Sequence, residues 1–328
     1  MRKKMFFLVL LLILCILAGV MLGSVPLSPV SVLKCLIGID RDSTASILVN
    51  TVRLPRTVGC CLAGMGLAAA GVILQSVMNN SLASPNTIGV NSGAGFAVML
   101  ALLASGSYSS AVPAAAFMGA LVTTLVIFGL AYMADSSRTT IILAGITVSS
   151  FLNAGINTIK LLDTDITVNL TTFMIGSLSG ITFDRLQFPA VAITAALLLS
   201  FALAKSINVL GLGDDIARSL GLNVTAVRFI LLILSSVLSG CVVSFAGLLG
   251  FVGLIVPHIC RRLFGNDARY LLPCSALLGA CFVLICDILG RVRFAPFELP
   301  AGVLMSLVGC PFFLYLLFKK KGGRRVNA

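Results

Sequence analysis

Few residues in this chain can do chemistry, and their types narrow the choices at once. Of 328 residues, one is histidine (His258), 11 are acidic and ten are cysteine. Nucleophilic catalysis needs a nucleophile, a base and an orienting group within mutual reach. No such set is evident, and a single histidine speaks against a hydrolase. No cysteine pair has zinc-site spacing with a histidine, so a metal centre is not expected. Most cysteines (Cys15, Cys60, Cys61, Cys241, Cys281, Cys286, Cys310) sit in apolar runs, where they act as small hydrophobes. There is no GxxxxGK[ST] phosphate loop, so ATP-driven work would need an ATPase on another chain. Neither cofactor nor covalent catalysis is expected.

Charge in particular places is what remains. Arg53 and Arg56 flank Leu54-Pro55, and Arg291 and Arg293 flank Val292. Arginine pairs bidentately with carboxylates, which suits an acidic docking partner. The competing explanation is that these are interfacial anchors with snorkelling stems. A second group lies in the polar stretch 206–228. There 214–220 can form a short amphipathic helix with Asp214 and Asp215 at its positive end, and Gly221 fits a C-cap. A connector of this length is expected to be a surface for another protein. The third group runs from Phe251 to His258 and ends in Arg261-Arg262. A proton relay would want partnered acids in the membrane. None is close in sequence, so His258 is expected to be structural, hydrogen-bonded at a helix end.

The elements that must position these residues are membrane spans. The chain is 59% apolar and only 10% charged, against about 25% charged in a soluble domain. Apolar blocks predict ten spans: 5–24, 55–78, 89–105, 113–133, 140–161, 187–205, 227–247, 250–264, 271–290 and 299–318. The first is expected to be a transmembrane helix rather than a cleaved signal, because it is long and lacks a clear cleavage site. Between the fifth and sixth, 163–184 is expected to be an external loop with a short helix near 170–179. The ten spans are expected to form one transmembrane domain over 1–328, with a cytoplasmic loop at about 206–226.

The net charge of +12 then becomes an orientation signal. With the N-terminus inside, 15 of the 23 basic and four of the 11 acidic residues fall inside, for +11 against +1 outside. That satisfies the positive-inside rule with both termini cytoplasmic, and leaves no support for nucleic-acid binding. Arg53, Arg56, Arg291 and Arg293 are then on the outer side. Gly64, Gly66, Gly71 and Gly253 are expected to allow close helix approach in lipid. Spans two to five and seven to ten are compatible with an inverted repeat, without a convincing sequence match.

Several stretches together carry a family resemblance: RLPR (53–56), GLAAAGVILQSVMNNSLASPNTIGVNSGA (66–94), LAGI (143–146), GDDIARSLGLN (213–223), AGLLGFVGLIVPHICR (246–261) and ELPAGVLMSLVGCPFFLYLL (298–317). On these the chain resembles the FecCD-type permeases, the membrane subunits of ABC importers for ferric siderophores, haem and cobalamin. Asn80-Ser81-Leu82-Ala83 departs from the family's usual Asn-Pro-Leu-Ala. The resemblance implies an all-α, ten-helix fold like that of the cobalamin-importer permease. It implies pairing with a second permease subunit, identical or paralogous, in the inner membrane, with the fifth and tenth spans lining the path. Two ATPase subunits would bind below and an extracytoplasmic substrate-binding protein above. By position, Arg53, Arg56 and Arg291 match the arginines that receive the binding protein's acids, and Arg293 joins them by proximity. Gly213, Asp214, Asp215, Ala217, Arg218, Ser219, Leu220, Gly221 and Asn223 match the helices that couple to the ATPase. Ser137, Arg138 and Thr139 match the inner gate. The function implied is import of an iron chelate by alternating access. The alternative is a secondary carrier driven by an ion gradient, which would usually show mid-span acids.

Overall fold

In a bilayer every backbone N–H and C=O must be satisfied within the segment, so the apolar blocks become helices. The computed structural model describes residues 2–37, 39, 43–105, 111–134, 137–162, 170, 171 and 173–322. Among them are α1 (Arg2–Met21), α2 (Pro29–Ile37), α3 (Thr44–Ile47), α4 (Leu54–Val77), α5 (Val90–Ser105), α6 (Ala111–Met133), α7 (Arg138–Leu162) and α8 (Phe183–Ala202). They continue with α9 (Ala204–Gly211), α10 (Asp214–Ser219), α11 (Val224–Ala246), α12 (Val252–Phe264), α13 (Ala268–Val292) and α14 (Ala301–Gly322). No strand occurs among the described residues.

Each of the ten expected spans has a helix in place. Seven described helices are long and apolar enough to cross a membrane; Val90–Ala104 and Ala301–Tyr315 are shorter apolar helices, and α12 has 13 residues. Two boundaries differ from expectation. The second span does not begin at Pro55. Helix runs from Thr44 through a π-helical stretch, Leu48–Arg53, into α4, making 34 continuous residues. Proline's missing N–H breaks the regular bonding pattern, and a π-turn just before it lets the helix continue. The sixth span ends earlier than expected, at Ala202, and α9 follows as a separate short helix. The stretch 163–184 lies partly outside the described residues; 173–175 are helical and 176–180 are not.

α4 is the central rod, buried along most of its length, with α13 antiparallel against it. Glycine makes that contact possible. A Cβ on Gly64 would meet the Gly279 carbonyl oxygen of α13 at 2.2 Å, and α12 comes as close to α4, since a Cβ on Gly71 would meet the Gly253 oxygen at 2.0 Å. The close-approach role expected for these glycines is therefore met.

The bundle has two distinct ends. At one, the N-terminus of α4 meets the C-terminus of α13 through Arg56 and Asp287. At the other, Asn208 of α9 donates to Asp267, the N-cap of α13. From Asp267 to Asp287 is 20 residues of rod, about 30 Å at helical rise. The two ends are called here the Arg56 end and the Asp214 end.

Candidate functional site

At the Arg56 end the expected arginines lie below the surface. Arg53, Arg56 and Arg291 are 3%, 5% and 2% exposed, because the chain itself supplies their partners. Arg56 Nε donates to Asp287 Oδ1 at 2.9 Å, and its Nη1 donates to Glu298 Oε2 at 2.6 Å. Asp287 is wholly buried, and Arg291 Nε lies 3.1 Å from its second oxygen, an ion pair one turn along α13. Arg291 Nη2 and Arg53 donate to backbone oxygens around the C-terminus of α1: Gly19, Val20, Met21 and Val25. Those carbonyls have no intrahelical donor. The cluster therefore clamps α1, α4 and α13 together. Arg293 is exposed.

At the Asp214 end the stretch 206–226 folds as α9, α10 and the start of α11. Gly213 starts α10 at φ +117°, a conformation that costs glycine little. Asp214 and Asp215 lie in the first turn, as the helix dipole favours. The helix closes with Gly221 at φ +80°, its N–H on Arg218 O and that of Leu222 on Ala217 O. This is a Schellman stop. Asn223 then caps α11 by accepting from Ala226 N–H at 3.1 Å. Ala217 faces the bundle; Asp215, Arg218 and Ser219 are exposed. So are Ile216 on α10 and Leu212 and Leu220 on either side of it.

Asp214 holds this end together. Its Oδ1 accepts from Arg138 Nη2 and its Oδ2 from Arg228 Nη2, both at 2.6 Å. Arg138 is the first residue of α7 and also donates to Leu210 O at 3.1 Å. Ser137 caps that helix through Thr140 N–H, and Thr139 is exposed. Arg228, nearly buried, lies in the first turns of α11. One carboxylate thus joins α7, α10 and α11. Burial pushes the Asp214 carboxyl up, but the hydrogen bonds and charges of Arg228 and Arg138 outweigh it and hold it below its ordinary value of 3.8.

Between the ends lies a cavity of about 530 Å³ with polar groups set in a largely apolar wall. Asn86, Asn91, Ser92, Asn153 and Ser306 give it amide and hydroxyl character, from α5, α7, α14 and the turn before α5. Phe251 lines it in the left-handed region, φ +64°, strained for a bulky residue. Its ring packs where a side chain on Gly309 would stand. A Cβ on Gly250, beside it, would meet nothing within 4 Å, and Gly250 lines the same space. His258 lies within α12 with its ring edge-on to Phe312 at 6.2 Å.

The family model of the FecCD transport family matches residues 10–319. The chain belongs to that family. It is 36% identical over 320 residues to the Fe(3+)-citrate import system permease protein YfmE of Bacillus subtilis, covering 96% of this chain and 95% of that one. It is 33% identical to the hemin transport system permease protein HmuU of Yersinia pestis, covering 98% and 97%. A solved structure described as an inward-facing metal-chelate type ABC transporter superposes with a TM-score of 0.87 at 28% identity, covering 97% of this chain and all of that one. The chain is a membrane permease subunit of an ABC importer.

Three groups of residues that build these sites in this FecCD permease were not legible as such in the sequence. Asp287 and Glu298 were visible as charges near helix ends, but not as partners of Arg56, which lies 231 and 242 residues away. Asp287 and Arg291 at i, i+4 were a legible pair. Arg228 was counted only as a basic residue. The asparagines of the cavity give no sequence signal, since they belong to separate elements.

Proposed function

We propose that this permease pairs with a second permease subunit, docks an extracytoplasmic binding protein at the Arg56 end, and rests its Asp214 end on two ATPase subunits that hydrolyse the ATP. The Arg56 end then faces outward, both termini are cytoplasmic, and the membrane is the inner one. The load is a ferric siderophore or a related iron chelate, in keeping with what the named relatives carry. Arg293 offers a direct contact for an acidic partner, while Arg53, Arg56 and Arg291 form the positive floor beneath it. Ser137, Arg138 and Thr139 serve as the inner gate.

The observation that carries the proposal is the Asp214 junction. The exposed apolar side chains on and beside α10, Leu212, Ile216 and Leu220, suit burial in a cleft of a partner. Asp214, on the same short helix, holds the first residue of α7. A push on α10 therefore reaches a helix that borders the cavity. The cavity is wide and neutral in its named lining, as befits a path that releases its load. α7 exposes Asn153 and Asn157 along a mostly uncovered helix. Amides facing hydrocarbon are costly, which favours a second permease subunit or the path on that side. The gradient-driven alternative gains nothing from Asp287, which is locked between Arg56 and Arg291.

The test is uptake of radiolabelled ferric chelate into proteoliposomes holding the permease pair and its ATPases, with the binding protein outside. Uptake is expected only with ATP inside. Uptake that survives removal of the ATPase, driven by an ion gradient, would overturn the proposal.

A further inference from the structure

The buried state of the arginines raises a question that rests on the docking role just proposed: how can an acidic partner reach Arg56 at all? Two carboxylates occupy it, and they differ. Asp287 is fully enclosed and divided between two arginines. Glu298 has a side chain 34% exposed and alone occupies Nη1 of Arg56. It belongs to the loop 293–300, exposed along most of its length, with Phe297 among its most exposed residues. The three arginines outnumber the two carboxylates, so the cluster keeps an excess of positive charge for an incoming acid.

Glu298 also holds several elements at once. Besides Arg56 of α4 it accepts from Ser24 Oγ, beyond α1, at 2.8 Å and from Ser179 Oγ, before α8, at 3.5 Å. Burial pushes its carboxyl up, but the hydrogen bond and charge of Arg56, with Ser24 and Arg291, hold it below its ordinary value. It is therefore a charged ligand at neutral pH. Two residues separate it from α14, whose first turns carry Gly302, Val303 and Ser306 on the wall of the cavity. Gly302 N–H is in turn bonded to Gly176 O at 3.2 Å, three residues before Ser179.

We propose that Glu298 is a displaceable latch: a carboxylate of the docking protein takes its place on Arg56 Nη1, and the freed loop lets the start of α14 move at the cavity. The exchange replaces one carboxylate by another on the same guanidinium, so it conserves charge and leaves Asp287 in place. The occupant is a carboxylate side chain of the docking protein, because the site offers what Glu298 now uses, a guanidinium flanked by the Ser24 and Ser179 hydroxyls.

The experiment uses the complete transporter in nanodiscs, with its ATPases and its cognate binding protein, in a Cys310→Ser background. A Ser306→Cys substitution reports, by its rate of maleimide labelling, on the start of α14. Glu298→Gln is expected to raise the ATPase rate without binding protein about tenfold, the worth of one charge-assisted hydrogen bond, and to speed labelling to the docked level. Binding protein is expected to speed labelling in the parent and to add little in Glu298→Gln. The paired change Ser24→Ala and Ser179→Ala leaves every ion pair intact and guards against a variant that fails to fold. It is expected to raise the same rate by a smaller factor. If docking stimulates the parent while Glu298→Gln and the serine pair keep the parent's basal rate and labelling, the latch is overturned and the docking role stands. If Glu298→Gln speeds labelling but Arg293→Glu leaves the binding protein's affinity and stimulation unchanged, the docking role falls instead, and with it a protein carboxylate as the displacing group.

Discussion

Asp287 and Asp214 each hold two arginines at similar distances, yet they are built for different work. Asp287 sits inside the rod, on a 25-residue helix, with no exposure and with both partners on helices that glycine contacts press together. Asp214 sits on a six-residue helix with its side chain 26% exposed, and its partners begin two different helices. A buried charge that loses its partner cannot turn to water, so the first cluster is fixed for as long as the chain is folded. A carboxylate on a rim can be rehydrated when its helix shifts, and the link can be remade elsewhere. Ion pairs of similar length thus form a clamp at one end and a joint at the other, and water access to the carboxylate sets the difference.

The comparison breaks most sharply at Asp287. Asp287→Ala leaves Arg56 and Arg291 buried with one carboxylate fewer, which is expected to cost about 3–5 kcal/mol. Most of the protein is then expected to be lost before purification, and the remainder to melt early in detergent. Normal yield and melting would mean that the Arg56 cluster is not a clamp.

Asp214→Ala is expected to behave in the opposite way. Folded yield should fall less than in Asp287→Ala, because water can reach the freed Arg138, although Arg228 stays buried. Chelate uptake should fall about tenfold or more, from the loss of two charge-assisted bonds at about 1.5–3 kcal/mol each before solvent screening. ATP hydrolysis should fall less than uptake. Equal losses in yield and uptake would make Asp214 a second clamp.

Acid sharpens the same contrast by a smaller amount. The Asp214 carboxyl is held below 3.8. A depressed carboxyl lends stability that is complete above its ordinary value and vanishes as pH falls through the lower, folded value. Coupling of hydrolysis to uptake is therefore expected to be level from neutral pH down to pH 5 as far as this joint is concerned. It should weaken only below about pH 4, near the free carboxylate value. A loss of coupling centred near pH 6 would assign the control to another group.

The turns that shape the joint were legible in the sequence, whereas the ion pairs of both ends, apart from Asp287–Arg291 at i, i+4, were not, for a physical reason. Asp214, Gly213, Gly221 and Asn223 act within a dozen residues, through caps and a dipole, and local rules reach that far. The helix expected at 214–220 is there as Asp214–Ser219, with the glycine stop where spacing put it. The clamp joins residues more than 200 positions apart, and only packing brings them together. The π-helical turn before Pro55 was hidden as well: proline reads as a beginning, and the chain reaches it already helical through Leu48–Arg53. Phe251 in the left-handed region, next to a glycine that would take it without strain, was equally unreadable. Its ring is fixed by Gly309, 58 residues on.

The smallest change asks whether the joint needs its sharp stop. A Cβ on Gly221 would meet nothing within 4 Å, so space is not the obstacle; φ +80° is. Gly221→Ala therefore costs only the left-handed backbone, about 1–2 kcal/mol, and Gly221→Val adds β-branching to that. Neither touches an ion pair. The strain is relieved if α10 runs on past its stop, which turns Leu220 and shifts Asp214 against Arg138 and Arg228. Hydrolysis is expected to continue while uptake per ATP falls two- to threefold in the alanine variant, on the order of the strain cost, and further in the valine variant. An alanine variant with full coupling would show that α10 moves as a rigid piece whatever its stop, leaving Asp214 alone to set the angle between α7 and α11.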